Sequence, residues 1–225
     1  TARIWSTELE IPLCSYKGHQ TPIWCAKWAP CGYYFATGSH DRTCRIWTTE
    51  SSKPIRAFYG HIGDVDCVAW HPNSNYVATG SSDRTVRLWD VSTGRCARLF
   101  AGHTSGVTAL AFSPDGQSLS TADDSGIIHS WDLDSSRLFK TMLGHEDAVY
   151  SLDYSGGSGE ILASGSADDT VRIWDHKDGL DKVVTGIVPK IAPTKTFRTK
   201  SCPVVKVEFT RRNLLLAFGA RSKAT

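Results

Sequence analysis

The dipeptide Gly-His stands at residues 18–19, 60–61, 102–103 and 144–145, so that three successive intervals are each 42 residues long. Tryptophans keep the same beat at Trp5, Trp47, Trp89, Trp131 and Trp174. The last interval is one residue longer, where the turn Ser155-Gly156-Gly157-Ser158-Gly159 is extended. A period of this length, sustained through most of 225 residues, restricts the chain to an array of small supersecondary units that bury their faces against one another.

Within each unit the residues alternate as strands do. Ile23–Trp28, Val65–Trp70, Val107–Phe112 and Val149–Tyr154 lead into an aromatic residue. In the first three units Pro-Cys-Gly, Pro-Asn-Ser-Asn or Pro-Asp-Gly follows, residues that set φ or tolerate its positive values. Second strands are predicted over 34–38, 76–80, 119–122 and 161–165, and third strands over 43–47, 85–89, 126–131 and 170–174. A fourth short run, such as 55–59 or 97–100, precedes the next Gly-His. Four strands in about 42 residues is one blade of an all-β propeller.

Gly-His combined with Trp89-Asp90, Trp131-Asp132 and Trp174-Asp175 resembles the signature of the WD40 family. The resemblance implies a hydrogen-bonded tetrad of His, Ser or Thr, Asp and Trp in each blade. Carried over by position, the sets are His19, Thr37, Asp41 and Trp47; His61, Thr79, Asp83 and Trp89; and His145, Ser164, Asp168 and Trp174. The third unit offers His103, Thr121 and Trp131, but Ser125 stands where the carboxylate belongs and Asp124 comes one place early. That blade is expected to be less rigid or differently turned. Recurrence unit by unit marks these residues as scaffold, against a Ser-His-Asp triad, which occurs once per active site.

The ends are irregular. Thr1 to Trp5 repeats the third-strand pattern without its earlier strands, and residues 176–200 lose the Gly-His and contain Pro189 and Pro193, which reads as an insertion or linker. Val204, Val207 and Phe209 resume a first strand, and 213–219 a second. The expectation is a single WD40 β-propeller domain over 1–225, with four complete blades and partial first and last blades. Thr1 to Trp5 either completes the last blade, giving a ring of five, or the ring is larger; seven blades, the usual number in the family, is the favoured reading.

Composition narrows the function. There is no run of 18 apolar residues and no secretory leader in the sequence, so no membrane association is expected. Seven cysteines, none at metal-ligand spacing, point to a reducing compartment and to no bound metal. Cys25 and Cys67 share a column with Ala109 and Ser151 and read as small packed residues. No nucleotide-binding, zinc-protease or nucleophile-elbow motif occurs, so neither an enzyme, a cofactor nor a small-molecule substrate is expected. Residues 190–225 carry nine Lys or Arg against the single acid Glu208, a net of +8, leaving −6 for residues 1–189. Such an end meets an acidic partner or nucleic acid, or it is the solvated face of edge strands; direct DNA contact is left open.

Segments outside the repeat motif carry a finer resemblance. Ser15 to His19, Gly32 to Asp41, Gly63 to Cys67, His71-Pro72-Asn73-Ser74-Asn75-Tyr76 and the run Phe209 to Ala217 are similar to the propeller of the family of fifth TBP-associated factors of TFIID, including its close paralogues in metazoan SAGA-type complexes. In fungi one such subunit serves both assemblies. The resemblance implies a nuclear scaffold in RNA polymerase II transcription, with histone-fold TBP-associated factors and other TFIID or SAGA subunits as partners. Asp64 and Asp66, with His71, Asn73, Asn75 and Tyr76, are the candidate partner surface, although Pro and Asn there also suit an ordinary turn. The fold class by itself equally fits a histone-peptide reader, a ubiquitin-ligase substrate receptor or an enzyme built on a propeller.

Overall fold

The computed structural model describes residues 1–176, 188–200 and 202–220, and every regular element among them is a strand. β1 (Ala2–Trp5) and β2 (Pro12–Tyr16) form a two-stranded pair. Blade A follows as β3 (Ile23–Trp28), β4 (Tyr34–Ser39), β5 (Cys44–Thr48) and β6 (Arg56–Phe58). Blade B is β7 (Val65–Trp70), β8 (Tyr76–Ser81), β9 (Thr85–Asp90) and β10 (Cys96–Ala101). Blade C is β11 (Val107–Phe112), β12 (Ser118–Asp123), β13 (Ile128–Asp132) and β14 (Leu138–Met142). Blade D is β15 (Val149–Tyr154), β16 (Ile161–Ser166), β17 (Thr170–Asp175) and, later in the chain, β19 (Lys195–Arg198). Between the last two lies β18 (Lys190–Ile191), which pairs in parallel with β14 as a fifth strand of blade C. β20 (Val204–Phe209) and β21 (Leu215–Gly219) close the described chain as a second two-stranded pair.

These are the blades of a β-propeller, with the inner strands β3, β7, β11, β15 and β20 packed side by side in chain order. Alternation of side chains gives each inner strand an apolar set for its neighbours, as in Val65, Cys67 and Val68 of β7, all buried. Each inner strand also carries one extra residue near its start. The register slips between Ile23 and Cys25, Val65 and Cys67, Val107 and Ala109, and Val149 and Ser151. Such bulges re-aim a side chain, here Trp24, Asp66, Thr108 or Tyr150.

The outer strand of one blade supplies a ring for the tryptophan of the next. Phe58 stacks on Trp89 with centroids 5.1 Å apart, and Phe100 packs on Trp131 at 5.4 Å. Fully burying each such side chain contributes about 1.5–3 kcal/mol, with ~0.5–1.5 kcal/mol more for the ring pair. Phe197 holds the same register position in blade D, opposite Val171, yet is 53% exposed because β21 has no third strand beside it among the described residues.

Among the described residues β1 and β2 form a sheet separate from β20 and β21, so the opening residues do not pair with the last blade there. Of the stretch expected as an insertion or linker, residues 177–187 lie outside the described residues, whereas 190–198 supplies β18 and β19. Proline limited the sequence reading, since Pro189 and Pro193 bracket β18 without interrupting it.

The seam between blades C and D carries a buried polar set. Ser120 Oγ lies 2.6 Å from Tyr154 Oη and 2.7 Å from Ser130 Oγ. His176 reaches Tyr154 Oη through Nδ1 at 3.2 Å and Ser118 Oγ through Nε2 at 3.0 Å. Lys140, fully buried, donates from Nζ to the carbonyl oxygens of Asp175, at 2.9 Å, and His176. Ser120 and Ser130 stand where blades A, B and D carry Ala36, Ala78 and Ala163, and Ile46, Leu88 and Ile173.

Candidate functional site

The tetrads come together as positioned from the sequence. In blade B, Trp89 Nε1–H donates to Thr79 Oγ1 at 2.8 Å, that hydroxyl meets His61 Nε2 at 2.8 Å, and His61 Nδ1 lies 2.8 Å from Asp83 Oδ2. Donation then runs one way, from indole through hydroxyl and imidazole to carboxylate, and satisfies each buried atom once. Thr85 Oγ1 completes it by donating to Asp83 Oδ1 at 2.6 Å. Blade A repeats the chain through His19, Thr37, Asp41 and Trp47, and blade D through His145, Ser164, Asp168 and Trp174.

Electrostatics follow from this enclosure. Burial lowers the pKa of His61 against the opposing pull of Asp83, and His19 and His145 are lowered by the same cause. For Asp83 burial acts to raise the pKa, but donation from Thr85 and His61 outweighs it and holds the carboxyl at about 2. Each hydroxyl is already committed to imidazole and indole inside a closed chain, so these residues offer no free nucleophile.

Blade C corrects the sequence reading. Its carboxylate is neither Asp124 nor Ser125 but Asp123, the last residue of β12, whose Oδ2 lies 2.8 Å from His103 Nδ1. His103 Nε2 meets Thr121 Oγ1 at 2.6 Å and Trp131 Nε1–H donates to the same oxygen at 2.9 Å, so the tetrad is complete. Asp123 holds the strand position of Ser39, Ser81 and Ser166, and Ser125 takes over the supporting donation by bonding Asp123 Oδ1 at 2.7 Å. The turn is of the ordinary kind: Gly126 is left-handed at φ 83°, as Arg84 is at 66°. The arginine of the third strand, Arg45, Arg87 or Arg172 elsewhere, is here His129. His129 is buried with its ring 4.5 Å from that of His103, and burial, reinforced by His103, lowers its pKa to about 4.

The candidate partner residues fall into two groups that the structure does not bring together. Asp64 and Asp66 flank the start of β7, whereas the loop 71–76 follows its end, about 20 Å away along the strand. At the first end Asp64 Oδ2 receives His40 Nδ1 at 2.6 Å and Trp24 Nε1–H at 3.2 Å, both from blade A. Trp24 is 54% exposed there. Burial, aided by Asp64 and Asp124, pushes Asp66 up to about 6. Trp24 and His40 were not singled out in the sequence; the signal was the bulge position, which Trp24 shares with Asp66.

At the other end His71 is an inter-blade tie. Its Nε2–H donates to Gly116 O of blade C at 2.9 Å, and its Nδ1 accepts from the Asn73 amide at 3.2 Å. Asn73 Oδ1 accepts from the Asn75 amide at 2.9 Å, the turn chemistry foreseen for these residues. The loop nevertheless stands between two clefts. Asn75 lines one of about 530 Å³ with Tyr34, Arg56 and Val91, while His71 and Tyr76 line another of about 210 Å³ with Leu88, Arg98 and Leu133. Asn73 and Asn75 are exposed.

The cysteines are free thiols among the described residues, and burial pushes Cys25 up to about 12 and Cys67 well above its ordinary value, as expected of packed residues. Among the described residues no group of three or more His, Cys, Asp or Glu is placed to hold a metal ion, and no helix is long and apolar enough to cross a membrane.

Comparison with known families finds the model described as "WD domain, G-beta repeat" at residues 10–48, 52–90, 94–132 and 136–175. No curated protein matches the chain.

Proposed function

The chain belongs to the WD40-repeat family, whose members generally mediate protein–protein interaction, and from that premise we propose that it is a nuclear scaffold subunit of TFIID and of a SAGA-type coactivator. Its partners on this reading are histone-fold TBP-associated factors and other subunits of those assemblies, and its natural ring has seven blades. The observation that carries the proposal is the run His71-Pro72-Asn73-Ser74-Asn75-Tyr76, similar to that of the fifth TBP-associated factors and set between two inter-blade clefts. Rigid blades presenting variable loops suit a scaffold, since binding energy gathers in a few anchored residues on a preorganised surface. Affinity purification of the tagged native protein from nuclear extract, followed by mass spectrometry, tests it. Recovery of histone-fold TBP-associated factors supports the reading, and recovery of cullin-ligase components or of no transcription machinery removes it. The pair Asn73→Lys and Asn75→Lys, at exposed positions, is expected to reduce that recovery about tenfold if the loop is the contact.

A histone-peptide reader is the second reading, favoured by one observation. Trp24, His40, Asp64 and Asp66 give an exposed aromatic beside carboxylates at one end of β7, a combination suited to a cationic side chain. Binding of basic peptides that weakens with salt and is lost in Asp64→Asn would favour it over the scaffold reading.

A further inference from the structure

We propose that the outer edge of blade C is a strand-addition site for extended peptide, that residues 189–193 hold it shut in this chain, and that its external ligand is a segment with one aliphatic side chain bracketed by prolines. The inference stands on the fold and does not depend on which assembly the protein joins.

The chain's own residues show the mode of binding. The Thr141 amide donates to Pro189 O at 3.0 Å and the Leu143 amide to Ile191 O at 3.1 Å, the two-residue spacing of a parallel strand laid along β14. Between them Ile191 packs onto the cluster that holds Met142 and Trp174. Pro193 closes the far end beside Gly144, where its Cδ comes within 3.3 Å of the position a Cβ would take and the Arg172 guanidinium comes closer still. Two recognition elements therefore sit together, a strand edge and an aliphatic seat, with Pro193 packed next to them. Proline at either end limits the pairing to one short stretch, because it has no amide to donate.

The edge is particular to blade C. Among the described residues, β6 and β10 carry no added strand, and β10 is exposed at most positions, whereas four of the five residues of β14 are buried. The hold on it is slight. Lys190 and Ala192 point to solvent, Ile191 is partly exposed, and the four strands β11 to β14 pair fully without β18. A sheet edge covered by so small a contact opens locally far more often than the sheet unfolds. Once open it presents unpaired amides to any strand that fits.

Amide exchange by NMR, together with fluorescence polarisation of a labelled peptide spanning residues 188–195, tests this on the whole chain and on Ile191→Asp. In the wild type, Thr141 and Leu143 should be protected but exchange faster than the central amides of β13. In the variant both should lose protection while β13 keeps it. The labelled peptide should bind the variant at least about tenfold tighter than the wild type and restore protection at both amides. A peptide carrying Asp in place of the isoleucine should not bind. Equal binding to both proteins, binding to neither, or retained protection in the variant overturns the proposal. If β13 loses protection in Ile191→Asp, the milder Ile191→Ala is judged by the same criteria.

Discussion

His103 Nδ1 lies 2.8 Å from Asp123 Oδ2, with both side chains sealed from solvent, and this pair holds blade C where the expected carboxylate is missing. Burial acts to raise the pKa of Asp123, yet donation from His103, Ser125 and the Ile127 amide lowers it. Asp123→Ala leaves the imidazole and two amides without their acceptor and should cost about 3–5 kcal/mol in urea unfolding. Asp124→Ala, at the exposed neighbour, should stay within about 0.5 kcal/mol of wild type. Equal losses would mean that the carboxylate comes from the turn after all.

Gly80 faces the next blade so closely that a Cβ would stand 2.6 Å from Cys67 Sγ and 2.7 Å from Val107 Cγ1. Gly80→Ala should therefore destabilise by about 1–3 kcal/mol through overpacking. Shortening the opposing side chain in Gly80→Ala/Val107→Ala should yield less than the summed single losses, a coupling that a double-mutant cycle measures directly.

Acid sensitivity should arise inside the blades. Burial holds His129 and His176 at about 4, reinforced by His103 and Lys140 respectively, while unfolded histidine titrates near its ordinary value of 6.5. A depressed folded pKa contributes stability above the unfolded value and loses it as pH falls. The window is pH 6.5 to 4, with a slope of about 1.4 kcal/mol per pH unit for each such histidine. Urea midpoints measured across it should fall steeply, and His129→Gln should flatten the slope by one such increment.

Asp66 runs the other way. Its folded pKa near 6 exceeds the ordinary 3.8, so the stability it contributes is complete below 3.8 and is lost as pH rises through 6. Asp66→Asn should gain about 1 kcal/mol at pH 7–8, after allowance for screening of a partly exposed group, and nothing at pH 4. Thermal unfolding at the two pH values distinguishes this from a uniform effect.

Much of this molecule was legible from the spacing of Gly-His and Trp. The inner strands of all four blades fall where the alternation puts them, and the tetrads of blades A, B and D assemble from the residues that the resemblance to WD40 repeats implies. Asp123 escaped because a carboxylate can reach the same imidazole from the strand end as from the turn, and spacing cannot distinguish the two routes. The polar seam was visible only as a break in columns, Ser120 for alanine and Ser130 for isoleucine or leucine. β18 left no periodic trace, since two paired residues are too few for alternation to show. Asp64 and His71 read as neighbours in sequence, but the extended geometry of β7 places them at opposite ends of a blade.

The seam between blades C and D is fixed by a connected set of buried polar side chains. Apolar surfaces such as Phe58 on Trp89 keep most of their attraction when they slide by a fraction of an ångström. The set Ser118, Ser120, Tyr154 and His176 is joined by directional hydrogen bonds, which weaken once the partners slide out of line, and Lys140 ties the set to the carbonyls where β17 ends. Blade D is thereby indexed against blade C, as a key fixes a joint.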